Sequence, residues 1–556
     1  MCDKRLWFIL IFIIILTGTI SWCLFRVQII QGAEWKAQAR GQQVFFEQNQ
    51  GERGSIYLQG IDGNTVPAAV NRRIYHAYIS PRELKGEDKE EITSLFSELL
   101  QIEKEIVIEK LEKDNSFEFL KKDLTPEELE EVKKTKGIHL TLEIVRDYPE
   151  KELASHVLGF VGGEKVGQYG VEQYYEEFIS GKFGVKEGQK NGWGSFITND
   201  STQRGEDIIL TIDYNIQHFT EKSLESAIER VNATRGTVLV GDPKTGEILA
   251  LANYPNFDPN NYSNVPEGNF HVFKNSAIQE AFEPGSVFKP ITMAVALDMG
   301  VVNPEETYYD AGEYRVHGRK ISNYDKRSYG LVTMTEILEK SVNTGIAHVQ
   351  NKIGNDNFLR YLNLFGIFEK TNIDLHGEVC SPNKSFLEGH DVNFATASYG
   401  QGIEVTMIQL FKAFSVLANG GMPVDPHIVK KEKYFSKDRV ISSTAAFLVT
   451  EMMVSTIERG FGKSAKVPGY HIAGKTGTAQ VTWSKLGLPG SGYSDRTIQG
   501  FVGYAPAFDP QFIILVKLEQ PQTRSADTSA APVFREIAEY ILDYKKIPHD
   551  YEIVKE

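Results

Sequence analysis

The sequence has 556 residues, of which 41% are hydrophobic and 24% charged, and its net charge is -14. This length predicts two or three folded units, and the ordinary composition predicts globular domains. The acidic balance excludes a nucleic-acid-binding role, which would need a basic face. Three cysteines are too few for a disulfide framework, and no Cys/His cluster has zinc-ligand spacing, so neither a metal nor another cofactor is expected.

The N-terminus carries a long uncharged segment from Leu6 to Phe25, which follows two basic residues and ends at Arg26. At about 1.5 Å per residue, this segment is long enough to cross the roughly 30 Å core of a bilayer. A cleaved signal peptide would have a shorter apolar core and a small-residue cleavage site. The segment therefore predicts an uncleaved membrane anchor, with residues 1–5 as a cytoplasmic tail and the bulk of the chain extracytoplasmic.

Residues 26–204 are predicted to form a first extracytoplasmic domain. The segment Val44–Ile56 has an extended pattern, and Glu87–Gly137 is rich in Glu and Lys with apolar residues at helical spacing. Solvated faces of amphipathic helices explain that charge run. A domain boundary is predicted near Gly205.

Residues 205–545 are predicted to form a second domain of mixed helices and strands. It opens with a strand pattern at Ile208–Ile212 and a helical pattern at Asn215–Ala227. Residues 546–556 carry no core signal and are predicted to be a peripheral tail.

The triplet Lys-Thr-Gly occurs twice in the second domain. Lys244-Thr245-Gly246 lies between two β-rich runs, Thr237–Val240 and Glu247–Leu251, and predicts the turn of a hairpin. Lys475-Thr476-Gly477-Thr478 lies within His471–Val481, which has the pattern of a strand. The second copy is therefore the candidate for a site.

A candidate nucleophile is Ser286, in Ser286-Val287-Phe288-Lys289. Pro284-Gly285 is a natural entry to a helix, and residues three apart share one helix face, so Lys289 is predicted to lie over the Ser286 hydroxyl. A serine hydroxyl needs a base, and a lysine is a base only when burial or nearby positive charge keeps it neutral. Pro290 lacks an N–H and is expected to leave the Ser286 carbonyl without its usual partner.

A further motif lies between Ser286 and the strand around Lys475. Ser341-Val342-Asn343 comes after a helical stretch, Met334–Lys340. The Ser341 hydroxyl could relay a proton and the Asn343 amide could hold a peptide, although for this motif by itself helix-end capping is the favoured explanation.

The strand around Lys475 offers groups that could bind a carboxylate. Gly477 has no side chain and is predicted to let a substrate backbone lie against the strand. Strict alternation would place Lys475 and Thr476 on opposite faces, so a twist or bulge near Gly477 is expected if both serve one site.

The order of these motifs resembles that of penicillin-binding proteins of class B, the monofunctional D,D-transpeptidases, and the motif set itself is a known signature. Longer strings carry the same resemblance. They are Arg53-Gly54-Ser55-Ile56, Gly170-Val171-Glu172, Leu210-Thr211-Ile212-Asp213, Phe282-Glu283-Pro284-Gly285-Ser286, Tyr399-Gly400-Gln401-Gly402 and Ala530-Ala531-Pro532-Val533-Phe534.

The resemblance implies an α+β fold with a single transmembrane helix and an elongated pedestal, or dimerisation, domain. A transpeptidase domain like the serine β-lactamases would follow, with a central antiparallel sheet, helices on both faces and a helical subdomain. One departure concerns the first pedestal strand, where Leu58-Gln59 stand in place of the usual Asp-Arg.

The resemblance also implies a role for each candidate residue. Ser286 would be acylated by a peptidoglycan stem peptide ending in D-Ala-D-Ala, with Lys289 as general base and Ser341 and Asn343 relaying protons and positioning the peptide. The strand motif would bind the terminal carboxylate through Lys475, Thr476 and Thr478, and the Ser286 and Thr478 amides would form the oxyanion hole. An amine of a second stem peptide would then take the acyl group, and β-lactams would trap the serine.

Other functions remain open on the sequence. A D,D-carboxypeptidase would hydrolyse the same acyl-enzyme, and a β-lactamase or β-lactam sensor would share the Ser-x-x-Lys core. A class A β-lactamase should also carry a Glu-x-x-Leu-Asn motif, which is missing between Asn343 and Lys475. A non-enzymatic divisome scaffold should have lost Ser286, Lys289 or Lys475, and all are present.

The resemblance extends to the cellular setting. It implies the bacterial plasma membrane, and a division or sporulation role is favoured over elongation by Tyr399-Gly400-Gln401-Gly402-Ile403 and Ala531-Pro532-Val533-Phe534. The expected partners are a separate glycosyltransferase and other cell-wall assembly proteins.

Overall fold

The computed structural model describes residues 2–33, 35–36, 44–60, 63–191, 194–431 and 438–552. They fall into two compact units. The first unit comprises Met1–Gly54 and Glu177–Glu206, and the second comprises Ser55–Glu176 and Asp207–Glu556.

The N-terminal segment is helical, as its composition predicts. Helix α1 (Cys2–Phe25) continues into a π-helical turn, Arg26–Ile30. The span Leu6–Ile30 is 25 residues long, and by length and composition it is apolar enough to cross a membrane. Its large apolar side chains are exposed, as expected of a surface that faces lipid.

The elements of the predicted pedestal follow in chain order. The strands are β1 (Val44–Gln50), β2 (Ile56–Gln59), β3 (Thr65–Ile79), β4 (Glu118–Lys121), β5 (His139–Asp147), β6 (Phe160–Val161), β7 (Gly167–Gln168), β8 (Phe183–Asn191) and β9 (Gly194–Asp200). The helices are α2 (Lys89–Leu100), α3 (Lys104–Leu111), α4 (Pro126–Lys134), α5 (Ser155–Leu158), α6 (Gly170–Tyr174) and α7 (Glu176–Ile179).

The predicted amphipathic helices of Glu87–Gly137 are confirmed as α2, α3 and α4, with β4 between the last two. Helix α4 starts with a capping box in which Thr125 and Glu128 satisfy each other's backbone N–H groups. The buried apolar side chains of these helices pack with those of β3 and β4, among them Phe96 and Leu100. In the first unit, β1, β8 and β9 form a separate antiparallel sheet in the order β1-β8-β9.

The elements of the predicted second domain also follow in chain order. The strands are β10 (Ile208–Asp213), β11 (Arg235–Gly241), β12 (Ile248–Tyr254), β13 (Thr307–Asp310), β14 (Glu313–Val316), β15 (Arg319–Ser322), β16 (Gly330–Thr333), β17 (Ala473–Thr482), β18 (Tyr493–Ala505) and β19 (Phe512–Glu519). The helices are α8 (Tyr214–Val231), α9 (Ser276–Gln279), α10 (Lys289–Asp298), α11 (Met334–Glu339), α12 (Asn343–Ile353), α13 (Asn355–Leu364), α14 (Lys384–Leu387), α15 (Asp391–Ala397), α16 (Met407–Ala418), α17 (Ser443–Glu458) and α18 (Ala530–Tyr544).

Strand β10 belongs to a different sheet from the strands that follow it. The predicted strand is confirmed, but it pairs in parallel with β2, Ile208 opposite Ile56, in a sheet of order β10-β2-β3-β4. Strand β2 forms this ladder with Leu58-Gln59 in place, so the departure at those two residues is compatible with the strand.

The central sheet of the second domain is antiparallel, with the strand order β12-β11-β19-β18-β17. It contains the predicted hairpin of β11 and β12. Alternate residues of β19, from Phe512 to Leu518, pack with α8 and α18 in one apolar core. Helices α16 and α17 cover the other face. The prediction of helices on both faces is confirmed. The helical subdomain consists of α11 to α15 with two small antiparallel strand pairs, β13 with β16 and β14 with β15.

Candidate active site

Ser286 lies in a tight turn that leads into a buried helix. The turn, Gly285–Phe288, is a 3-10 helix and continues directly into α10. Gly285 has a φ of +57°, which favours glycine, and its N–H donates to the Gly400 carbonyl at 3.0 Å. A Cβ at Gly400 would lie 2.2 Å from the Gly285 carbonyl oxygen, so the two loops pack backbone against backbone. Half-buried Ser286 lines a cavity at this point.

The Ser286 carbonyl lacks its usual partner, as predicted, because Pro290 has no N–H. It is not left unpaired, because the N–H of Lys289 donates to it instead, as the shorter bonding step of a 3-10 turn allows.

Lys289 is the centre of a buried hydrogen-bond network. Its side chain is fully buried, and its Nζ lies 2.6 Å from the Ser341 carbonyl oxygen, 2.7 Å from Asn343 Oδ1 and 3.1 Å from Ser341 Oγ. Burial, aided by the positive charge of Lys475, lowers the pKa of Lys289 well below its ordinary value. Lys289 Nζ is the donor in all three contacts, and a neutral amine keeps two of them, which leaves its lone pair to accept a proton. The network therefore accommodates a neutral base.

Ser341 makes two of these contacts from a left-handed backbone conformation. Ser341 has a φ of +53°, a left-handed conformation that costs a non-glycine residue roughly 1–2 kcal/mol. Its carbonyl and its hydroxyl both reach Lys289. Helix α12 starts after Val342 without a side-chain cap. The side chains of Ser341 and Asn343 thus bond to Lys289, and neither caps α12. The left-handed Ser341 also ends α11 in a Schellman motif, in which the Ser341 N–H donates to the Leu338 carbonyl at 3.3 Å and the Val342 N–H to the Ile337 carbonyl at 2.9 Å.

The structure also reveals a positioning network that the sequence analysis missed. Buried Asp310 accepts hydrogen bonds from Asn323 Nδ2 at 2.8 Å and from Thr344 Oγ1 at 2.6 Å. Asn323 Oδ1 in turn accepts the N–H of Asn343 at 3.0 Å. Asp310 ends β13 and Asn323 follows β15, where neither spacing nor periodicity signals a role, while Thr344 lies in the first turn of α12.

The second Lys-Thr-Gly copy lies in β17, at the edge of the central sheet. The pairing with β18 is regular from Ala473 to Gln480, and its irregularity falls between Gln480 and Thr482. No bulge occurs near Gly477, contrary to the expectation. Alternation therefore holds: Thr476 and Thr478 line the cavity.

Lys475 is fully buried beside the cavity, and its Nζ donates to the Thr476 carbonyl at 3.2 Å. Burial lowers the pKa of Lys475 to about 7. The charge of Lys475 reaches the site through its effect on Lys289. A buried ammonium with a single carbonyl partner among the described residues is suited to an incoming carboxylate.

Gly477 has a different purpose from the predicted one. A Cβ there would lie 2.8 Å from Val287 Cγ1 and 3.0 Å from the Pro284 carbonyl oxygen. The serine turn itself fills the space that had been assigned to a substrate backbone. The absent side chain lets the nucleophile's turn pack against the strand, which sets the distance between Ser286 and the two threonines.

The cavity has a volume of about 500 Å³ and joins the candidate residues. Ser286, Ser341, Asn343, Thr476 and Thr478 all contribute to it. Its remaining walls come from loops that the sequence analysis did not select as a site: Asn323, Tyr324, Asp325, Tyr329, Lys340, Tyr399, Gln401, Phe461 and the segment Arg524–Asp527. In the part of the chain that the structure describes, no three His, Cys, Asp or Glu residues are grouped as for a metal.

Comparison with known proteins agrees with this architecture. Residues 236–539 match the penicillin binding protein transpeptidase domain, and residues 48–210 match the penicillin-binding protein dimerisation domain. The chain belongs to the penicillin-binding protein transpeptidase family. With a dimerisation domain ahead of the transpeptidase domain, it is a class B penicillin-binding protein.

Individual relatives extend over most of the chain. It is 30% identical to stage V sporulation protein D of Bacillus subtilis over 95% of this chain and 84% of that protein. It is 31% identical to peptidoglycan D,D-transpeptidase FtsI of Escherichia coli over 78% of this chain and 73% of that protein. In fold it resembles penicillin binding protein 2X of Streptococcus thermophilus, with a TM-score of 0.76 at 23% identity over 90% of this chain and 80% of that one.

Proposed function

We propose that this protein is a peptidoglycan D,D-transpeptidase that cross-links stem peptides through an acyl-enzyme on Ser286. The observation that carries the proposal is the buried Lys289, whose pKa is lowered by burial and by Lys475 and which contacts both Ser341 and Asn343. A lysine whose pKa is lowered in this way can act as the base without a histidine.

In the proposed first step, Lys289 removes the hydroxyl proton of Ser286 while the oxygen attacks the carbonyl of the penultimate D-Ala. The C–N bond to the last D-Ala breaks, and its nitrogen receives a proton through Ser341. Thr476 and Thr478, which line the cavity, hold the terminal carboxylate, and the buried charge of Lys475 attracts it from behind the strand. The Ser286 and Thr478 amides stabilise the oxyanion. Asn343 positions the peptide, and Gly477 contributes by keeping the serine turn close to the strand. β-Lactams would acylate the same serine.

The cellular setting is part of the proposal. Residues 6–25 anchor the chain in the bacterial plasma membrane, residues 1–5 are cytoplasmic, and the pedestal (26–204), the transpeptidase domain (205–545) and the tail (546–556) lie outside. The relatives named for sporulation and as FtsI support a septal role. The glycan strands would come from a separate glycosyltransferase acting with other cell-wall assembly proteins.

The nucleophile is tested with a fluorescent penicillin and the full chain in detergent. Ser286→Ala should abolish covalent labelling, and Lys289→Ala should slow it by several orders of magnitude because nucleophile and base act as a unit. Ser464→Ala is the control, because Ser464-Ala465-Lys466 also has a lysine close after a serine but at a spacing of two residues instead of three. This variant should label like the wild type. Persistent labelling of Ser286→Ala would overturn the assignment.

The reaction is tested by product analysis with lipid-linked glycan strands and a polymerase partner. Cross-linked dimers are expected. Trimmed stem peptides without dimers would identify a carboxypeptidase and would contradict the transpeptidase proposal.

A further inference from the structure

A second cleft opens beside the active-site cavity. It has a volume of about 880 Å³ and lies at the end of the central sheet where β18 begins and β19 ends. Tyr324 and Arg524 line both spaces, so the cleft and the cavity meet at these two side chains. The cleft is polar, and its charged side chains are Asp495, Arg496 and Arg524, all exposed.

We propose that this cleft binds the acceptor stem peptide, an anionic peptide with a free side-chain amine, and directs that amine to the acyl group on Ser286. The proposal rests on the proposed transpeptidase function and specifies how the acceptor amine competes with water for the acyl group. Transpeptidation needs two peptides at one serine, whereas hydrolysis needs only one. A second binding space that meets the active-site cavity at Tyr324 and Arg524 satisfies this requirement.

The charges of the cleft fit such a ligand. A stem peptide ends in a carboxylate, and a guanidinium binds a carboxylate through paired hydrogen bonds. Arg496 uses one of its five donors, to Gln520 Oε1 at 2.7 Å. Arg524 has no hydrogen-bond or ion-pair partner among the residues that the structure describes. Both guanidinium groups are therefore available to an anion.

The wall that carries Arg524 is rigidly held. Gln499 is fully buried, and its side-chain amide donates to the Thr523 carbonyl at 2.8 Å and accepts from Thr523 Oγ1 at 2.9 Å and Ser529 Oγ at 2.5 Å. The N–H of Gln522 donates to the Val231 carbonyl at 2.8 Å. The segment is thus anchored on both sides of Arg524. A fixed wall at the junction binds a peptide with a smaller loss of conformational entropy than a free loop would.

The step served by the cleft is the second half of the reaction. The acceptor amine attacks the acyl carbon, a C–N bond forms, and the ester bond to Ser286 Oγ breaks. One amine proton returns to Oγ through Lys289, which restores the hydroxyl. Holding the amine next to the ester raises its effective concentration above that of competing water.

The test uses the full chain in detergent, a small thioester acyl donor and a synthetic stem tetrapeptide with a free side-chain amine. The aminolysis and hydrolysis products are quantified by mass spectrometry at increasing tetrapeptide concentration. Arg496→Gln removes a cation that lines the cleft and not the catalytic cavity. Arg535→Gln is the matched control, because Arg535 is a similarly exposed arginine on α18 whose ion pair is with Glu539.

Arg496→Gln should need about tenfold more tetrapeptide to reach equal aminolysis and hydrolysis, since one charge-assisted contact is lost. Arg535→Gln should match the wild type. The inference is overturned if Arg496→Gln keeps the wild-type product ratio, or if aminolysis and acylation fall by the same factor. A wild-type enzyme that is acylated but yields hydrolysis alone would instead overturn the proposed function.

Discussion

The two Lys-Thr-Gly copies of this chain have the same three residues in opposite environments. Lys244-Thr245-Gly246 occupies the turn between β11 and β12, where Asp242 Oδ1 accepts the N–H groups of Lys244 and Thr245. Gly246 there has a φ of +85°. Lys475-Thr476-Gly477 instead lies inside β17, in regular register with β18.

The lysines differ most. Lys244 is exposed and pairs with Asp509 at 2.6 Å, on the surface. Lys475 is fully buried, its pKa is lowered to about 7, and its charge acts on Lys289. A short motif thus takes its chemistry from its burial and its neighbours, and variants of the two copies should differ accordingly.

The largest expected effect separates the two lysines. Lys475→Met should lower the second-order rate constant of acylation by fluorescent penicillin about 10²–10³-fold, because the buried cation for the ligand carboxylate is lost, a cost of roughly 3–4 kcal/mol. Lys244→Met removes one exposed ion pair, worth about 0–1 kcal/mol, and should leave that rate constant within about twofold of the wild type. Equal losses in both variants would show that burial does not distinguish them.

Substitution of the two glycines should affect different properties, acylation for Gly477 and stability for Gly246. Gly477→Ala places a Cβ 2.8 Å from Val287 Cγ1 and should displace the serine turn, slowing acylation about tenfold, in proportion to a strain of roughly 1–3 kcal/mol. Gly246→Ala places a Cβ 2.3 Å from the Asp425 carbonyl oxygen at a positive φ and should lower the free energy of unfolding by at least about 1–2 kcal/mol.

Denaturant unfolding and acylation kinetics, measured on both glycine variants, distinguish these outcomes. The folded fraction of Gly246→Ala should acylate at the wild-type rate. Fast acylation by a stably folded Gly477→Ala would contradict the packing role of that glycine.

The pH dependence of acylation should report the coupling between the two buried lysines. Lys289 must be neutral to act, so acylation falls as the pH drops through its pKa. Because the charge of Lys475 lowers that pKa, Lys475→Met should raise it and move the acid limb of the rate profile to higher pH. Lys475→Arg keeps a positive charge and should hold the limb nearer its wild-type position. An acid limb that is unmoved in Lys475→Met would show that the coupling is absent.

Local spacing and tertiary packing explain what the sequence could and could not predict. Ser286 and Lys289 are three residues apart at a helix entry, and Ser341 and Asn343 flank one residue. Each of these short motifs is weak alone, and the order of the three motifs with the family resemblance selected them. The prediction of a strand around Lys475 followed from the pattern of residues 471–481 and from its apolar flanks. The hairpin of β11 and β12 and the N-terminal helix were predicted from similar short-range patterns, whereas the α+β class was implied by the family resemblance.

The remaining features depend on segments distant in sequence. Asp310 positions Asn343 through Asn323. Arg524 reaches the cavity from the loop after β19. No local sequence pattern predicts which of these loops lie close together in the fold. The purpose of Gly477 was misjudged for the same reason. A bare glycine face in a strand does not reveal whether a ligand or the protein itself, here Val287, will cover it.

The last expected effect concerns stability, and it follows from the same buried lysine. Lys475 has a folded-state pKa of about 7 and an ordinary value of 10.5, so between these values the unfolded chain binds more protons than the folded one. The free energy of unfolding then rises with pH across that window. Lys475→Met lacks this contribution, so its stability relative to the wild type should be highest below about pH 7 and should decline toward pH 10. Urea unfolding of both proteins at several pH values measures the difference, in which groups that titrate alike in the two proteins cancel. A constant difference would mean that Lys475 is paired or hydrated in the folded protein, and the environments of the two triplets would then be less distinct than their burial indicates.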